Sequence, residues 1–250
     1  MIFYLLGFFV LLTVLFFMSR ALPKKLHLFF FLICKDKEQS IQLLTWLFLP
    51  GTVVHELSHL LVAELLRVPT GELSFTPEIR ANNEIRAGGL KMAKTGPLRH
   101  ALIGLAPIMV GITSIAGFTY FCLLPLLQKT LSIPFRPFYY QQLIINWLAI
   151  FIFSFLIFNL SNTMFSSKKD LETIVFPLLI IGLFGFAFWF AGIRISFAPK
   201  TIFFFTNILK YLDFALLGTV VIDFFFMLLV NFFLKKTYQN SSSLILFLLL

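Results

Sequence analysis

The chain has 250 residues, of which 59% are hydrophobic and only 12% are charged, and its mean hydropathy is +0.95. Since globular proteins carry roughly 25% charged residues, this composition excludes a soluble domain and indicates an integral membrane protein. The net charge of +9 comes from basic residues that stand singly or in pairs between apolar runs, which excludes a nucleic-acid-binding patch and favours the headgroups of a lipid bilayer as their partners.

Six apolar runs predict the fold class, an all-α integral membrane protein with about six transmembrane helices. Each run is close to the roughly 20 residues that a helix needs to cross a bilayer, and a helix satisfies its backbone polar groups internally, as lipid requires. The predicted spans are Ile2–Met18, Ile41–Leu66, Ala101–Leu127, Gln142–Leu160, Thr173–Ala191 and Tyr211–Leu234. We expect residues 1–250 to form one multi-pass domain in the cell (plasma) membrane, and the loop charges leave its orientation open.

The first span is predicted to be retained and not cleaved as a signal peptide. No basic segment precedes Ile2–Met18 and no small-residue cleavage site follows it, although signal peptides have both. The next apolar segment, Leu26–Cys34, is too short to cross a bilayer and is flanked by lysines. It is predicted to be an interfacial or re-entrant segment.

The second span contains the sequence His55-Glu56-Leu57-Ser58-His59. Residues four apart lie about 40° from each other around an α-helix, so His55 and His59 project from one face and can bind a single zinc ion. Glu56 lies about 100° around the helix, where a general base can take a proton from a water whose pKa zinc lowers towards roughly 7. This arrangement is typical of zinc peptidases.

The membrane setting strengthens this interpretation, because ionisable side chains inside a span are costly unless they are paired or bind a metal. The alternative is a hydrogen-bonded polar cluster that only holds helices together. Pro50-Gly51 precedes the motif by one turn. It predicts either a kink that opens a polar cavity beside the zinc or a plain helix start at Pro50.

A catalytic zinc usually has three protein ligands and a water, so a third ligand is needed. Glu64 lies about 180° from His55 around the same helix, which excludes it. Glu78 follows His59 by nineteen residues and falls in a polar loop. The candidates that remain are His27, Glu78, His100 and Asp170.

The polar stretch Val68–His100 contains two strand-like pieces, around Glu72–Phe75 and Gly89–Met92. Their β-propensity and the turn residues between them predict a small membrane-associated β-hairpin after the second helix.

The motif, the hairpin, Gly96-Pro97 and the stretch from Asn162 to Asp170 together resemble the site-2 protease family of intramembrane zinc metallopeptidases. That family carries His-Glu-x-x-His on one membrane helix and Asn-x-x-Pro-x-x-x-Leu-Asp on a later one. Here Asn162 and Asp170 keep the Asn-to-Asp separation, whereas Phe165 stands at the position of the proline and Lys169 at that of the leucine.

The resemblance implies a catalytic core at 41–171, with the N-terminal span and interfacial segment at 1–40 and the C-terminal spans and tail at 172–250. It further implies Zn²⁺ as the cofactor, Asp170 as the third ligand, and a role for Asn162 in positioning the substrate strand or the attacking water. A helix-end amide that caps carbonyls is the alternative for Asn162.

The predicted function is hydrolysis of peptide bonds in or next to the transmembrane segments of a membrane-protein substrate. The alternative is a membrane transporter, or a non-catalytic scaffold with a polar or metal-binding helix cluster. In the last span, Asp223 is the deeper carboxylate, and an interhelical hydrogen bond is the role expected for it, with a catalytic role as the alternative. The oligomeric state is not predicted.

Overall fold

A computed structural model describes residues 1–74, 78–79, 85–86, 89–93, 95–132, 140–165, 172, 179–180, 182–188, 190–192 and 198–240. Within these ranges the protein is almost entirely helical. The helices are α1 (Ile2–Cys34), α2 (Lys37–Leu65), α3 (Pro97–Gly117), α4 (Leu124–Leu131), α5 (Tyr140–Thr163) and α6 (Pro199–Asn240). A π-helical segment, Phe118–Leu123, joins α3 to α4 without a break.

Among the described residues, five helical stretches are long and apolar enough to cross a membrane. They are α1, α2, the continuous stretch from α3 to α4, α5 and α6. The predicted class, an all-α membrane protein, is therefore confirmed at that level, although the count is five where about six were predicted. Eight of the nineteen residues of the predicted span Thr173–Ala191 lie outside the described residues, and the described ones include a helical stretch at 182–188.

Helix α1 corrects the prediction for Leu26–Cys34, because this segment continues the first helix and is not a separate element. Its buried side chains explain the difference. Leu22 and Leu26 pack in one cluster with Phe48 of α2 and Phe158 of α5, so burial of this face continues past the basic residues and Pro23 that suggested a break. The helix ends at Cys34 and is capped by Lys35, whose φ of 56° is left-handed.

Helices α1 and α6 form a long pair. Lys25 Nζ donates a hydrogen bond of 2.9 Å to Asn231 Oδ1, and the rings of Phe29 and Phe233 lie 6.0 Å apart. Helix α6 begins at Pro199, a favoured residue for the first helical position, twelve residues before the predicted start at Tyr211.

Helix α2 lies against α1, α3 and α5. Asp36 caps its start by accepting a hydrogen bond of 2.9 Å from the Glu38 backbone N–H. The helix runs through Pro50, so the interpretation of Pro50 as a helix start is wrong. One residue later, a Cβ on Gly51 would lie 2.5 Å from Thr163 Oγ1 and 2.6 Å from the Asn159 carbonyl oxygen. Only glycine permits this close approach of α5.

The predicted hairpin is present between α2 and α3. Strand β1 (Thr70–Ser74) pairs antiparallel with β4 (Gly89–Met92), and the short strands β2 (Glu78–Ile79) and β3 (Ile85–Arg86) pair with each other. Val68, just before β1, is buried with Ala63 of α2 and Ile103 of α3. The base of the hairpin is thereby fixed to the two helices that carry the candidate site.

Candidate metal centre

The two motif histidines face each other on α2. Their Nε2 atoms are 3.3 Å apart, and the ring centroids are 4.9 Å apart with the planes at 84°. Both side chains are buried, with 5% of His55 and 6% of His59 exposed. The (i, i+4) spacing therefore brings the two nitrogens together as the sequence predicts.

A backbone carbonyl of α3 orients His59. Its Nδ1 lies 2.8 Å from the carbonyl oxygen of Ile103. A carbonyl can only accept a hydrogen bond, so Nδ1 must carry the proton, and in the neutral ring the lone pair then lies on Nε2. This is the nitrogen that faces His55.

The separation of the two nitrogens fits a tetrahedral zinc ion. With Zn–N bonds of about 2.0–2.1 Å at a tetrahedral angle, two ligand nitrogens lie about 3.3 Å apart. A second feature also fits, because histidines that bind a metal almost always donate their other N–H to a carbonyl or carboxylate, as His59 does to Ile103. The pair therefore has the geometry of two ligands of one metal ion.

Within the described residues, no group of three or more His, Cys, Asp or Glu side chains converges at metal-binding geometry. Asp170, the third ligand implied by the resemblance, lies outside those residues, and so does the side chain of Glu78. The structure therefore brings together two of the three expected ligands.

The other candidates lie elsewhere in the fold. Glu64 is exposed, in agreement with its exclusion on geometric grounds. His100 is exposed in the first turn of α3. His27 lies 3.3 Å from Ser40 Oγ, where it links α1 to the start of α2.

Glu56 and Ser58 complete the motif. Glu56 is buried, next to His55 in the chain and about 100° around the helix from it. Ser58 is also buried and donates a hydrogen bond of 2.6 Å to the carbonyl oxygen of His55. This bond within the helix leaves Ser58 in a packing role.

Asn162 lies in a second buried group, which we call the Asp223 cluster (Ser161, Asn162 and Asp223). Ser161 Oγ lies 3.0 and 2.9 Å from the two carboxylate oxygens of Asp223, and Asn162 Nδ2 donates to Oδ1 at 3.2 Å. Asn162 Nδ2 also lies 2.8 Å from the carbonyl oxygen of Phe158. The interhelical hydrogen bond predicted for Asp223 is confirmed, and the Asn162 amide is engaged in the same cluster.

Two residues of the site did not emerge from the sequence, namely Ile103, which holds His59, and Pro107, four residues further on in α3. The only local signal was a proline inside an apolar span. Recognising it would have required knowing that this part of α3 packs on His59.

The chain matches no known protein-family model, no curated protein sequence and no solved structure. The case for a function therefore depends on the motif and on its geometry.

Proposed function

We propose that the protein is a zinc-dependent intramembrane metalloendopeptidase, which hydrolyses peptide bonds in or next to the transmembrane segments of other membrane proteins. One observation carries the proposal. Two buried imidazoles on a helix apolar enough to cross a membrane present their Nε2 atoms at the separation of two zinc ligands, and Glu56, the first of the three residues between them, is also buried.

In this proposal His55 and His59 hold the metal through Nε2, and the Ile103 carbonyl keeps His59 in the required tautomer. Zinc would supply a Lewis acid that acidifies a bound water and polarises the scissile carbonyl. Glu56 would act as the general base, taking a proton from the attacking water and delivering it to the leaving amine. No nucleophilic serine or cysteine takes part.

Asp170 is the proposed third ligand, and the position of α5 supports it. Thr163, the last residue of α5, lies against Gly51, one helical turn before His55. Asp170 follows Thr163 by seven residues, and seven extended residues span at most about 23–25 Å. The carboxylate is therefore within reach of the histidine pair.

The buried position of the pair constrains the substrate. A peptide bond inside a helix is shielded by its own hydrogen bonds, so a transmembrane substrate must unwind locally before it can react. The outer faces of α1, α5 and α6 carry exposed apolar side chains, including Phe3, Phe151 and Phe225, which suit the lipid bilayer from which such a substrate would come.

The test is the zinc content of the detergent-purified protein, measured for the wild type and for His55→Ala, Asp170→Ala and Glu78→Ala. We expect about one zinc per wild-type chain, none in His55→Ala, weakened binding in Asp170→Ala and unchanged binding in Glu78→Ala. If Asp170→Ala keeps its zinc and Glu78→Ala loses it, the third ligand is Glu78 and not Asp170.

A wild-type protein that binds no zinc under non-chelating conditions would overturn the proposal. The Asp223 cluster would then favour a scaffold or transporter function. Ser161 and Asn162 of α5 donate hydrogen bonds to Asp223 of α6, and hydrogen bonds between helices hold a membrane bundle together without a metal.

A further inference from the structure

We infer that Pro107 is a positioning residue of the metal site, which acts by keeping the Ile103 carbonyl available to His59. In an α-helix the N–H of residue i donates to the carbonyl of residue i−4, and the partner of the Ile103 carbonyl is therefore residue 107. Proline has no N–H, so this carbonyl has no donor at its usual helical position. The inference rests on the proposed function, because it concerns a ligand of the proposed zinc.

The structure shows where the released carbonyl is used. Pro107 lies inside α3 and is buried, Ile103 is fully buried, and the Ile103 carbonyl oxygen accepts the Nδ1–H of His59 at 2.8 Å. The proline ring also crowds the carbonyl four residues earlier and turns it away from the helix axis. The Ile103 carbonyl therefore faces α2, which packs along α3.

The consequence concerns the other nitrogen of His59. With the proton held on Nδ1, Nε2 carries the lone pair and faces His55. An alanine at 107 would restore an N–H that competes for the same carbonyl. The hydrogen bond from His59 would weaken, and the tautomer with the proton on Nε2, which cannot bind a metal through that nitrogen, would become more populated.

The experiment measures the zinc dissociation constant by chelator competition in detergent, together with the ¹⁵N shifts of the histidine side chains in the metal-free protein. Pro107→Ala is expected to weaken zinc binding about 10–100-fold, the range for removal of a partner of a metal ligand. In the metal-free protein its His59 signals should shift towards a mixture of tautomers.

Two comparisons separate positioning from a general structural effect. Pro23→Ala, at the proline inside α1, is the matched control and should leave zinc affinity within about twofold of wild type, since the carbonyl that accepts from His59 Nδ1 belongs to Ile103 of α3. An ester analogue of Pro107→Ala, in which an oxygen replaces the N–H of residue 107, should bind zinc like the wild type.

The outcomes are distinct. Equal weakening by Pro107→Ala and by its ester analogue would show that shape, and not the N–H, matters and would overturn the inference. An unchanged His59 tautomer in Pro107→Ala would do the same. If the wild type binds no zinc, the proposed function fails, but the metal-free ¹⁵N measurement still decides whether Pro107 controls His59.

Discussion

Two buried polar groups in the described part of the chain differ in how their side chains meet. In the Asp223 cluster, donors from Ser161 and Asn162 on α5 meet acceptors on Asp223 of α6. In the motif on α2, the Nε2 atoms of His55 and His59 face each other, and between two neutral rings in this arrangement at most one hydrogen bond can form.

This difference separates a cluster that stabilises the fold from one that suits a metal. Hydrogen bonds of matched polarity satisfy buried groups and join helices. A histidine ligand usually donates its other N–H to a carbonyl or carboxylate, as His59 does to Ile103. Four substitutions test this contrast.

Glu56→Gln should reduce peptidase activity about 10²–10⁴-fold, because glutamine cannot accept the proton of the attacking water. The zinc content should stay at the wild-type level, since Glu56 is not a proposed ligand. The check is cleavage of a membrane-protein substrate in proteoliposomes, with zinc measured on the same samples. Full activity of this variant would remove Glu56 from the mechanism.

Gly51→Val should disturb the two regions together, because any Cβ there meets the backbone of Asn159. Overpacking of this kind costs about 1–3 kcal/mol of stability. It should also displace the end of α5 from its place beside the motif and lower zinc affinity. Thermal unfolding and zinc titration are the measurements, and Gly117→Val, at a position with open space around its Cβ, is the control for β-branching in a helix.

Asp223→Ala should lower stability by about 1–2 kcal/mol, because Ser161 and Asn162 lose their interhelical acceptor. Zinc binding should remain at the wild-type level, since this cluster is proposed to be structural. Unfolding in mixed micelles measures the first effect and metal analysis the second. If Asp223→Ala loses zinc but keeps its stability, the Asp223 cluster serves metal binding and not the stability of the fold.

Ser58→Ala should have the smallest effect, a loss of about 0.5–1.5 kcal/mol of stability, because a single hydrogen bond to the His55 carbonyl is removed. Zinc content and activity should not change. The same unfolding assay applies, and a fall in activity at constant stability would assign Ser58 a role beyond packing.

Local patterns allowed the prediction of much of the fold and of the centre of the site. Hydropathy located α2 and α5 to within a few residues, and the spacing of His55 and His59 alone placed their nitrogens together. The hairpin strands followed from composition. Each of these features depends on residues close together in the chain.

The features that escaped prediction depend on partners far apart in sequence. Continuation of α1 to Cys34 reflects packing of Leu22 and Leu26 on α2 and α5, and this burial outweighs the lysines and Pro23. Likewise, nothing near Pro107 in the sequence shows that the Ile103 carbonyl, which this proline leaves without its helical donor, would accept a hydrogen bond from His59. The two partners lie 44 residues apart in the chain.

The length of the α1–α6 pair adds a constraint from the surrounding lipid. At 1.5 Å per residue, the 33 residues of α1 extend about 50 Å and the 42 residues of α6 about 63 Å, against roughly 30 Å of hydrocarbon. Helices of this length cross the bilayer at a tilt or extend beyond its hydrocarbon layer through their charged segments, which include Lys24 and Lys25 of α1 and Lys235 and Lys236 of α6. Since α1 packs along α2, which carries the histidine pair, bilayer thickness becomes one of the variables that set the depth of the site.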